Sequence, residues 1–357
     1  GVLVPPVSGE YELTVTANDG VRLLVDGRKV LEEWTEASVA RAVSAKVSLE
    51  AGRAHELRLE YFEAARDAEV RLGWKRPGAG TPFEDALEAA QASDVVVFVG
   101  GLTAEVEGEE MRVSYPGFAG GDRTDIELPA VQERMLEALH ATGKPVVLVL
   151  TTGSALAVRW AQVNLPAIVL AWYPGQQGGN AVADVLFGDA NPAGRLPVTF
   201  YESAAQLPPF ADYDMEGRTY RYFRGKALYP FGHGLSYTRF EYSGLQVSRA
   251  RLGVRDSVEI SLDVKNAGPR DGDEVVQLYA RDAEAARPAA IRELKGFERV
   301  RLKAGESERV RFTLRPERDL AHYDEGRKAL AVEPGEFDIE VGASSQDLRL
   351  RGRVRVE

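Results

Sequence analysis

The sequence contains no cysteine in its 357 residues, which excludes disulfides, thiol catalysis and thiolate metal sites. No apolar run approaches the roughly 18 residues that a membrane-spanning helix needs. Residues 1–6 lack the basic and apolar segments of a signal peptide, and they lead directly into a strand-like pattern without an initiator methionine. We therefore expect the chain to be a piece of a longer protein.

Length and charge set the next limits. A chain of 357 residues is longer than one ordinary domain, so two or three domains are expected. Its net charge of −11 argues against binding nucleic acid or an anionic membrane through a general positive field. The same charge is compatible with neutral partners such as sugars.

The spacing of apolar residues divides the chain into three regions. Residues 1–78 alternate with a period of two between turn signals, which predicts a β-sandwich. Residues 79–239 alternate apolar strand runs with helical patterns and predict an α/β layered domain. Residues 240–357 return to the period of two and predict a small antiparallel sandwich of immunoglobulin-like type. The expected fold class is therefore multidomain, with an α/β region between two β-sandwiches.

In an open α/β sheet, function lies in the loops after the carboxyl ends of the strands. Three continuous apolar runs predict strands buried on both faces, at residues 94–101, 145–150 and 167–172. The acidic loop, residues 105–110, follows the first of them and carries four glutamates. Clustered carboxylates disfavour one another's ionisation, so one of them can stay protonated as a general acid must. The spacing alone favours a solvated acidic loop over this role, and it lacks the pattern of a Ca²⁺ loop.

The remaining loops and aromatic residues are less specific. Ser154 stands outside any G-x-S-x-G elbow, and we interpret it as a helix N-cap. Residues 175–179 match no phosphate-loop pattern, so nucleotide binding is weakly supported. Trp34 and Trp74 are expected in the core of the first sandwich. A group of aromatic residues predicts either a sugar-stacking platform or, as we favour, a strap that packs domains together: Tyr213, Tyr220, Tyr222, Phe223, Tyr229, Phe231, Tyr237 and Phe240.

Seven ordered motifs resemble the α/β domain of glycoside hydrolase family 3. They are EGEE at 107–110, GDRTDIELP at 121–129, GKPVV at 143–147, AWYPG at 171–175, ADVLFGD at 183–189, NPAGRLPVTF at 191–200 and YPFGHGLSY at 229–237. Residues 1–78 are similar to an N-terminally truncated protective-antigen-like β-sandwich that some members carry as an insertion. Residues 240–357 resemble the family's fibronectin type III-like domain, with GDEVVQLY at 272–279 and LKGF at 294–297. The resemblance implies that the α/β sandwich is also partial.

The resemblance implies a retaining, exo-acting β-glycosidase that hydrolyses β-glucosides or β-xylosides, without metal or cofactor. The family's acid/base glutamate lies in this loop beside a glycine. Carried over onto Gly108, this makes Glu109 the catalytic proton donor. Glu107 and Glu110 are the fallback candidates, because the family usually shows a second glycine where Glu110 stands. A further hypothesis is that Glu107 helps to keep Glu109 protonated.

The family carries its nucleophilic aspartate on an N-terminal TIM barrel, which no part of this sequence resembles. We therefore expect an inactive and poorly stable fragment, or one chain of a split enzyme, whose partner is the barrel portion of the same enzyme. A retaining mechanism needs both carboxyl groups. The resemblance also allows a homodimer, and we expect a periplasmic or secreted bacterial location, with the cytoplasm as the alternative.

Two functions of other classes stay open. The first is a carbohydrate-binding accessory protein without catalysis, which would keep its function after Glu109→Gln. The second is an adhesive array of β-sandwiches that binds sugar through Ca²⁺. That use of calcium generally needs paired aspartates, and the corresponding turn here reads Asn18-Asp19.

Overall fold

The computed structural model describes residues 1–37, 39–64, 68–78, 81–111, 113–285 and 289–357. The chain divides into two compact units, Gly1–Ala92 and Ser93–Glu357. Ala79 and Gly80, in the predicted boundary segment, lie outside the described residues. The predicted domain boundaries after residues 78 and 239 stay predictions.

Within its described residues, the first unit contains seven strands in two antiparallel sheets. They are β1 (Val2–Leu3), β2 (Gly9–Ala17), β3 (Gly20–Val25), β4 (Arg28–Glu33), β5 (Arg41–Leu49), β6 (His55–Phe62) and β7 (Val70–Lys75). One sheet has the order β1-β6-β3-β4 and the other β5-β2-β7. Buried side chains from both sheets form a single cluster, which includes Tyr11, Leu13, Val15 and Leu23. The alternation predicted for β2 therefore places every second residue in this core.

Both tryptophans of the first unit were expected in the core, and that expectation is wrong. Trp34 is 41% exposed and Trp74 is 46% exposed. Each belongs to the rim of a sheet, because Trp34 follows the edge strand β4 and Trp74 lies on the edge strand β7. Trp74 stacks on Tyr11 with ring centroids 5.2 Å apart, and the guanidinium of Arg22 lies 4.5 Å from the Trp34 ring.

A helix, α1 (Pro82–Gln91), ends the first unit. Thr81 caps it, and Thr81 and Glu84 form the reciprocal hydrogen bonds of a capping box. Proline at the first helical position also favours the start of a helix there.

The second unit begins with a parallel sheet of order β13-β12-β8. Its strands are β8 (Val96–Gly101), β12 (Val146–Thr151) and β13 (Ala167–Leu170), and three short strands after β8 form a separate small sheet: β9 (Ser114–Tyr115), β10 (Phe118–Ala119) and β11 (Asp122–Arg123). The helices of this region are α2 (Ala130–Ala141), α3 (Arg159–Asn164), α4 (Gly178–Phe187) and α5 (Thr219–Tyr222). The strand–helix alternation predicted from the sequence is confirmed.

Burial on both faces holds for the central strand β12 and fails for β8. Leu148 and Val149, which point to opposite faces of β12, are 0% and 1% exposed, whereas Val97 and Val99 of β8 are 47% and 63% exposed. β8 lies at the edge of the sheet, and α2 packs against it. In the described residues, the face of β8 that carries Val97 and Val99 stays exposed. The apolar run therefore does not form a strand that is buried on both faces.

The C-terminal part of this unit is almost entirely β-structure. Its strands are β14 (Phe240–Val247), β15 (Arg251–Leu252), β16 (Val258–Asn266), β17 (Gly272–Asp282), β18 (Glu293–Leu302), β19 (Ser307–Leu314), β20 (His322–Asp324), β21 (Ala329–Ala331), β22 (Gly335–Gly342) and β23 (Leu348–Val356). Two sheets, β14-β16-β19 and β15-β23-β22-β17-β18, contribute to one buried apolar cluster.

Aromatic packing joins the α/β region to this β-region within the second unit. Tyr220 stacks on Phe231 with centroids 4.2 Å apart, and it meets Tyr279 of β17 edge-on at 6.1 Å. These contacts agree with the packing strap predicted for the aromatic group. Tyr213 is 91% exposed and takes no part in the strap.

Candidate active site

Three loops at the carboxyl ends of the parallel strands meet around Glu107. One of its carboxylate oxygens accepts a hydrogen bond from the Ser154 hydroxyl at 2.9 Å, and the other accepts one from the Tyr173 hydroxyl at 3.0 Å. Ser154 follows β12, and Tyr173 follows β13. Glu107 is thus bound to loops from two neighbouring strands.

Arg123, at the end of β11, completes this cluster. Its Nε lies 4.0 Å from a Glu107 carboxylate oxygen. Its Nη1 donates to the Ser154 hydroxyl and to the Ala155 carbonyl, both at 2.8 Å. Burial lowers the pKa of the Arg123 guanidinium, but a guanidinium stays charged in proteins. The cluster therefore pairs one positive with one negative charge.

Ser154 does not cap a helix, so that expectation is wrong. Helix α3 begins at Arg159, with Val158 in the N-cap position and no side-chain cap. Ser154 instead lies in a turn where its backbone N–H donates to the Thr152 hydroxyl at 3.2 Å. This turn leaves the Ser154 hydroxyl free to bridge Arg123 and Glu107.

Tyr173 is held close to the same turn. Burial, and after it the hydrogen bond to Glu107, raises the pKa of the Tyr173 phenol. A Cβ atom at Gly153 would lie 2.7 Å from the Tyr173 ring. The preceding residue, Trp172, has a φ of 55°, which is uncommon for a bulky side chain and marks a constrained loop.

The acidic loop is folded back onto the segment around β11. The Gly108 N–H donates to the Gly121 carbonyl at 3.2 Å, and the Met111 N–H donates to the Gly120 carbonyl at 2.8 Å. Gly121 has a φ of 91°, and a Cβ there would lie 1.7 Å from the Gly108 carbonyl oxygen. Glycine at this position is therefore required by both backbone conformation and space.

Glu109, the predicted proton donor, is exposed in the turn that follows. In the described part of the chain, its carboxylate forms no hydrogen bond or ion pair. Glu110 is exposed too, and its φ of 52° lies in the left-handed region that glycine adopts most readily. A glycine at this position, as the resemblance implies for the family, would suit the observed backbone.

The sequence patterns predicted a role for the glutamates but not for Arg123 and Tyr173, the other charged and phenolic members of the cluster. Both lie within motifs that carried the resemblance, GDRTDIELP and AWYPG. Tyr173 follows β13 at the carboxyl end of the parallel sheet, and this position was a further available signal for it. Arg123 is the last residue of β11, in the separate small sheet, so only its motif marked it.

The adhesive interpretation predicts that the Asp19 carboxylate binds calcium, but both of its oxygens accept hydrogen bonds from the backbone. One of its carboxylate oxygens accepts from the Ala37 N–H at 2.7 Å, and the other accepts from the Ala64 N–H at 2.9 Å. The carboxylate thus serves to fix two backbone segments.

Among the helices of the described residues, none is long and apolar enough to cross a membrane.

Comparison with known proteins identifies the class to which this arrangement belongs. The model of the glycosyl hydrolase family 3 C-terminal domain matches residues 6–237, and the fibronectin type III-like domain matches residues 274–345. The chain belongs to glycosyl hydrolase family 3 and covers its C-terminal portion. It is multidomain, with β-rich and α/β regions and a fibronectin type III-like domain.

Individual relatives are glycoside hydrolases of this family. The chain is 40% identical to a xylan 1,4-beta-xylosidase of Xylanibacter ruminicola, over 96% of this chain and 39% of the relative. It is 36% identical to a periplasmic beta-glucosidase of Salmonella typhimurium, over 95% of this chain and 43% of the relative. A crystal structure of a beta-glucosidase from Kluyveromyces marxianus in complex with glucose matches with a TM-score of 0.72 and 28% identity, over 100% of this chain and 44% of that one. The chain thus spans less than half the length of each of these relatives.

Proposed function

We propose that this chain is the C-terminal part of a retaining, exo-acting β-glycosidase and that Glu109 is its general acid/base. The observation that carries the proposal is the position of Glu109: it is exposed at the functional edge of the sheet, directly after a loop segment that is firmly bound. A general acid needs a carboxyl group that can reach the substrate. Glu107 has both oxygens occupied, and Glu109 does not.

The proposed reaction has two steps and needs a second carboxylate about 5–5.5 Å from the first. We propose that this nucleophile belongs to the portion of the enzyme outside this chain. The nucleophile attacks the anomeric carbon while Glu109 protonates the leaving oxygen. The aglycone departs, and the sugar stays bound to the nucleophile as a covalent glycosyl-enzyme. Glu109 then takes a proton from water as the water hydrolyses that intermediate. The scheme requires no metal or cofactor.

The proposed substrates are terminal β-linked glucose or xylose residues of short glycosides. The support is the pair of activities in the relatives' names, a beta-xylosidase and a beta-glucosidase. A periplasmic or secreted location is proposed on the name of the Salmonella typhimurium relative. A fractionation of the source cells that found the enzyme in the cytoplasm would contradict this location.

The test replaces Glu109 by glutamine in the complete enzyme and compares two aryl β-glycosides. With a poor leaving group, such as a phenol, we expect kcat/KM to fall by about 100- to 10,000-fold, because general-acid catalysis contributes that much. With a dinitrophenyl glycoside, glycosylation needs little protonation and should be affected far less. Azide should then accelerate turnover and yield a β-glycosyl azide, since it needs no general base.

The fallback candidates serve as comparisons in the same assay. Glu110→Gln should retain activity within a few-fold on both substrates. If Glu109→Gln kept full activity on the phenyl glycoside, Glu109 would not be the proton donor. If activity towards all glycosides persisted in every variant, the catalytic role of the acidic loop would be excluded. A protein that only binds carbohydrate would show no turnover in any of them.

A further inference from the structure

We propose that Glu107, Arg123, Ser154 and Tyr173, named here the loop anchor, fix the position of the acidic loop and act on the reaction through Glu109. This inference rests on the proposed function, because it assigns Glu107 a positioning role in place of a proton-donating one. The loop anchor joins residues that follow β8, β12 and β13 to Arg123, the last residue of β11.

The hydrogen bonds of Glu107 show why it suits this role. Each of its oxygens accepts from a hydroxyl group, at 2.9 and 3.0 Å, and the Arg123 guanidinium lies within 4.0 Å. The side chain of Glu107 is 21% exposed, and that of Arg123 is 12% exposed. Charged hydrogen bonds in such partly buried surroundings are stronger than those of exposed pairs. Glu107 thus has its bonding capacity directed into the protein and away from a substrate.

The restraint passes to Glu109 through a very short piece of chain. Glu109 lies two residues after Glu107, and two residues span at most about 7 Å when fully extended. Gly108, which lies between these two glutamates, is fixed by its hydrogen bond to the Gly121 carbonyl at 3.2 Å. The backbone is therefore held on both residues that precede Glu109, while the Glu109 side chain stays exposed.

The charges of the loop anchor also bear on the hypothesis that Glu107 keeps Glu109 protonated. The positive charge of Arg123 lies beside the Glu107 carboxylate and offsets its field at short range. This weakens the electrostatic effect that Glu107 can exert on its neighbour. The geometry therefore favours position over charge as the route by which Glu107 influences Glu109.

The experiment uses Glu107→Gln and Tyr173→Phe in the complete enzyme, with Glu109→Gln as the reference. With a phenyl glycoside we expect kcat/KM to fall by roughly 100-fold for Glu107→Gln and about 10-fold for Tyr173→Phe, since misplacing a catalytic group by about 1 Å can cost a factor of 100. Both losses should shrink with a dinitrophenyl glycoside. Matched controls are Glu241→Gln, which removes a surface ion pair of 3.3 Å, and Tyr323→Phe, at a tyrosine that is 59% exposed.

The decisive readout is the double variant Glu107→Gln/Glu109→Gln. If Glu107 acts only through Glu109, adding Glu107→Gln to Glu109→Gln should cost less than about 3-fold, because coupled residues are strongly non-additive. A full additive loss would overturn the positioning role while leaving the assignment of Glu109 intact. The proposal would equally be overturned if Glu107→Gln showed the leaving-group dependence and azide rescue and Glu109→Gln did not, and in that case the assignment of Glu109 would fail as well.

A structural readout separates positioning from general loss of folding. Backbone hydrogen exchange of the acidic loop should accelerate in Glu107→Gln and Tyr173→Phe, whereas β12 should keep its protection. Unchanged exchange in the loop would contradict the proposal. Accelerated exchange throughout β12 in both variants would show global destabilisation, and the proposal would then be rejected. If only Glu107→Gln destabilised β12, the proposal would depend on Tyr173→Phe, which should keep native protection in β12 and show the leaving-group dependence.

Discussion

Arg195 and Glu274 form an ion pair between the α/β region and strand β17, with 2.6 Å between Nη2 and the carboxylate oxygen. Their side chains are only 9% and 3% exposed. Glu274 accepts a second hydrogen bond from the Val275 N–H at 2.7 Å. Replacing Arg195 by alanine would therefore leave a carboxylate buried with one backbone donor as compensation.

Breaking a buried ion pair by removing one partner costs about 3–5 kcal/mol, because the remaining charge is desolvated without its counter-charge. With a urea m-value of about 3 kcal/mol/M for a unit of this size, the unfolding midpoint should fall by roughly 1–1.7 M. Arg239→Ala is the matched control, since its pair with Glu241 spans 3.3 Å and is 72% and 58% exposed. We expect the control to change the free energy of unfolding by less than about 1 kcal/mol.

The assay is urea unfolding of both variants and of the unchanged protein, monitored by far-UV circular dichroism. Hydrogen exchange of β17 is measured in parallel. Arg195→Met combined with Glu274→Leu should recover much of the loss, because apolar replacements of a buried pair are often neutral. Equal, small effects of Arg195→Ala and Arg239→Ala would refute the argument that burial decides the cost of losing this pair.

Two further predictions concern other parts of the second unit. Burial, and after it the charge of Arg221, lowers the pKa of Lys295 to about 8. Between this value and the ordinary pKa near 10.5 the unfolded state binds more protons than the folded one, so the Lys295 contribution to stability rises with pH there. Lys295→Met also removes the hydrogen bond from Nζ to the Glu293 carboxylate at 3.0 Å, so the prediction concerns the pH dependence. The stability of the variant relative to the unchanged protein should be greatest at pH 7 and should decline towards pH 10.5 in urea titrations at several pH values; a relative stability that grew with pH would contradict this. In the complete enzyme that the proposed function implies, Gly121→Ala should disorder the acidic loop and lower turnover of a phenyl glycoside at least 100-fold. Gly143→Ala, at a φ of 77° with open space for the Cβ, should cost only about 1 kcal/mol of stability and no activity. Normal turnover by Gly121→Ala would show that the loop tolerates another course.

The sequence predicted much of the fold where local patterns and tertiary surroundings agree. The period of two in residues 10–16 corresponds to β2, and the continuous run at residues 145–150 corresponds to the buried strand β12. Pattern alone did not distinguish a central strand from an edge strand. β8 is as apolar as β12, yet its exposure depends on its place in the sheet order, which no local window contains.

The candidate site was predicted unevenly for a similar reason. The glutamates of the acidic loop were visible as a cluster, and Glu109 as proton donor remains a prediction. Ser154 was misread because N-caps and loop hydroxyls share the same local sequence preferences. Its contact with Glu107 joins residues 47 positions apart, and Tyr173 lies 66 positions away. Spacing along the chain cannot reveal such contacts without the strand topology.

The paired backbone contacts at Gly108 and Met111 with Gly121 and Gly120 close the base of the hairpin that β9 and β10 form. Both ends of that hairpin are held together at its base. Because β10 also pairs with β11, only the turn between β9 and β10 can change in length and sequence while these contacts stay in place. Different turns could therefore be exchanged at the tip of this hairpin. Such an exchange would alter which molecules approach the exposed glutamates, while the backbone contacts at the base stay in place.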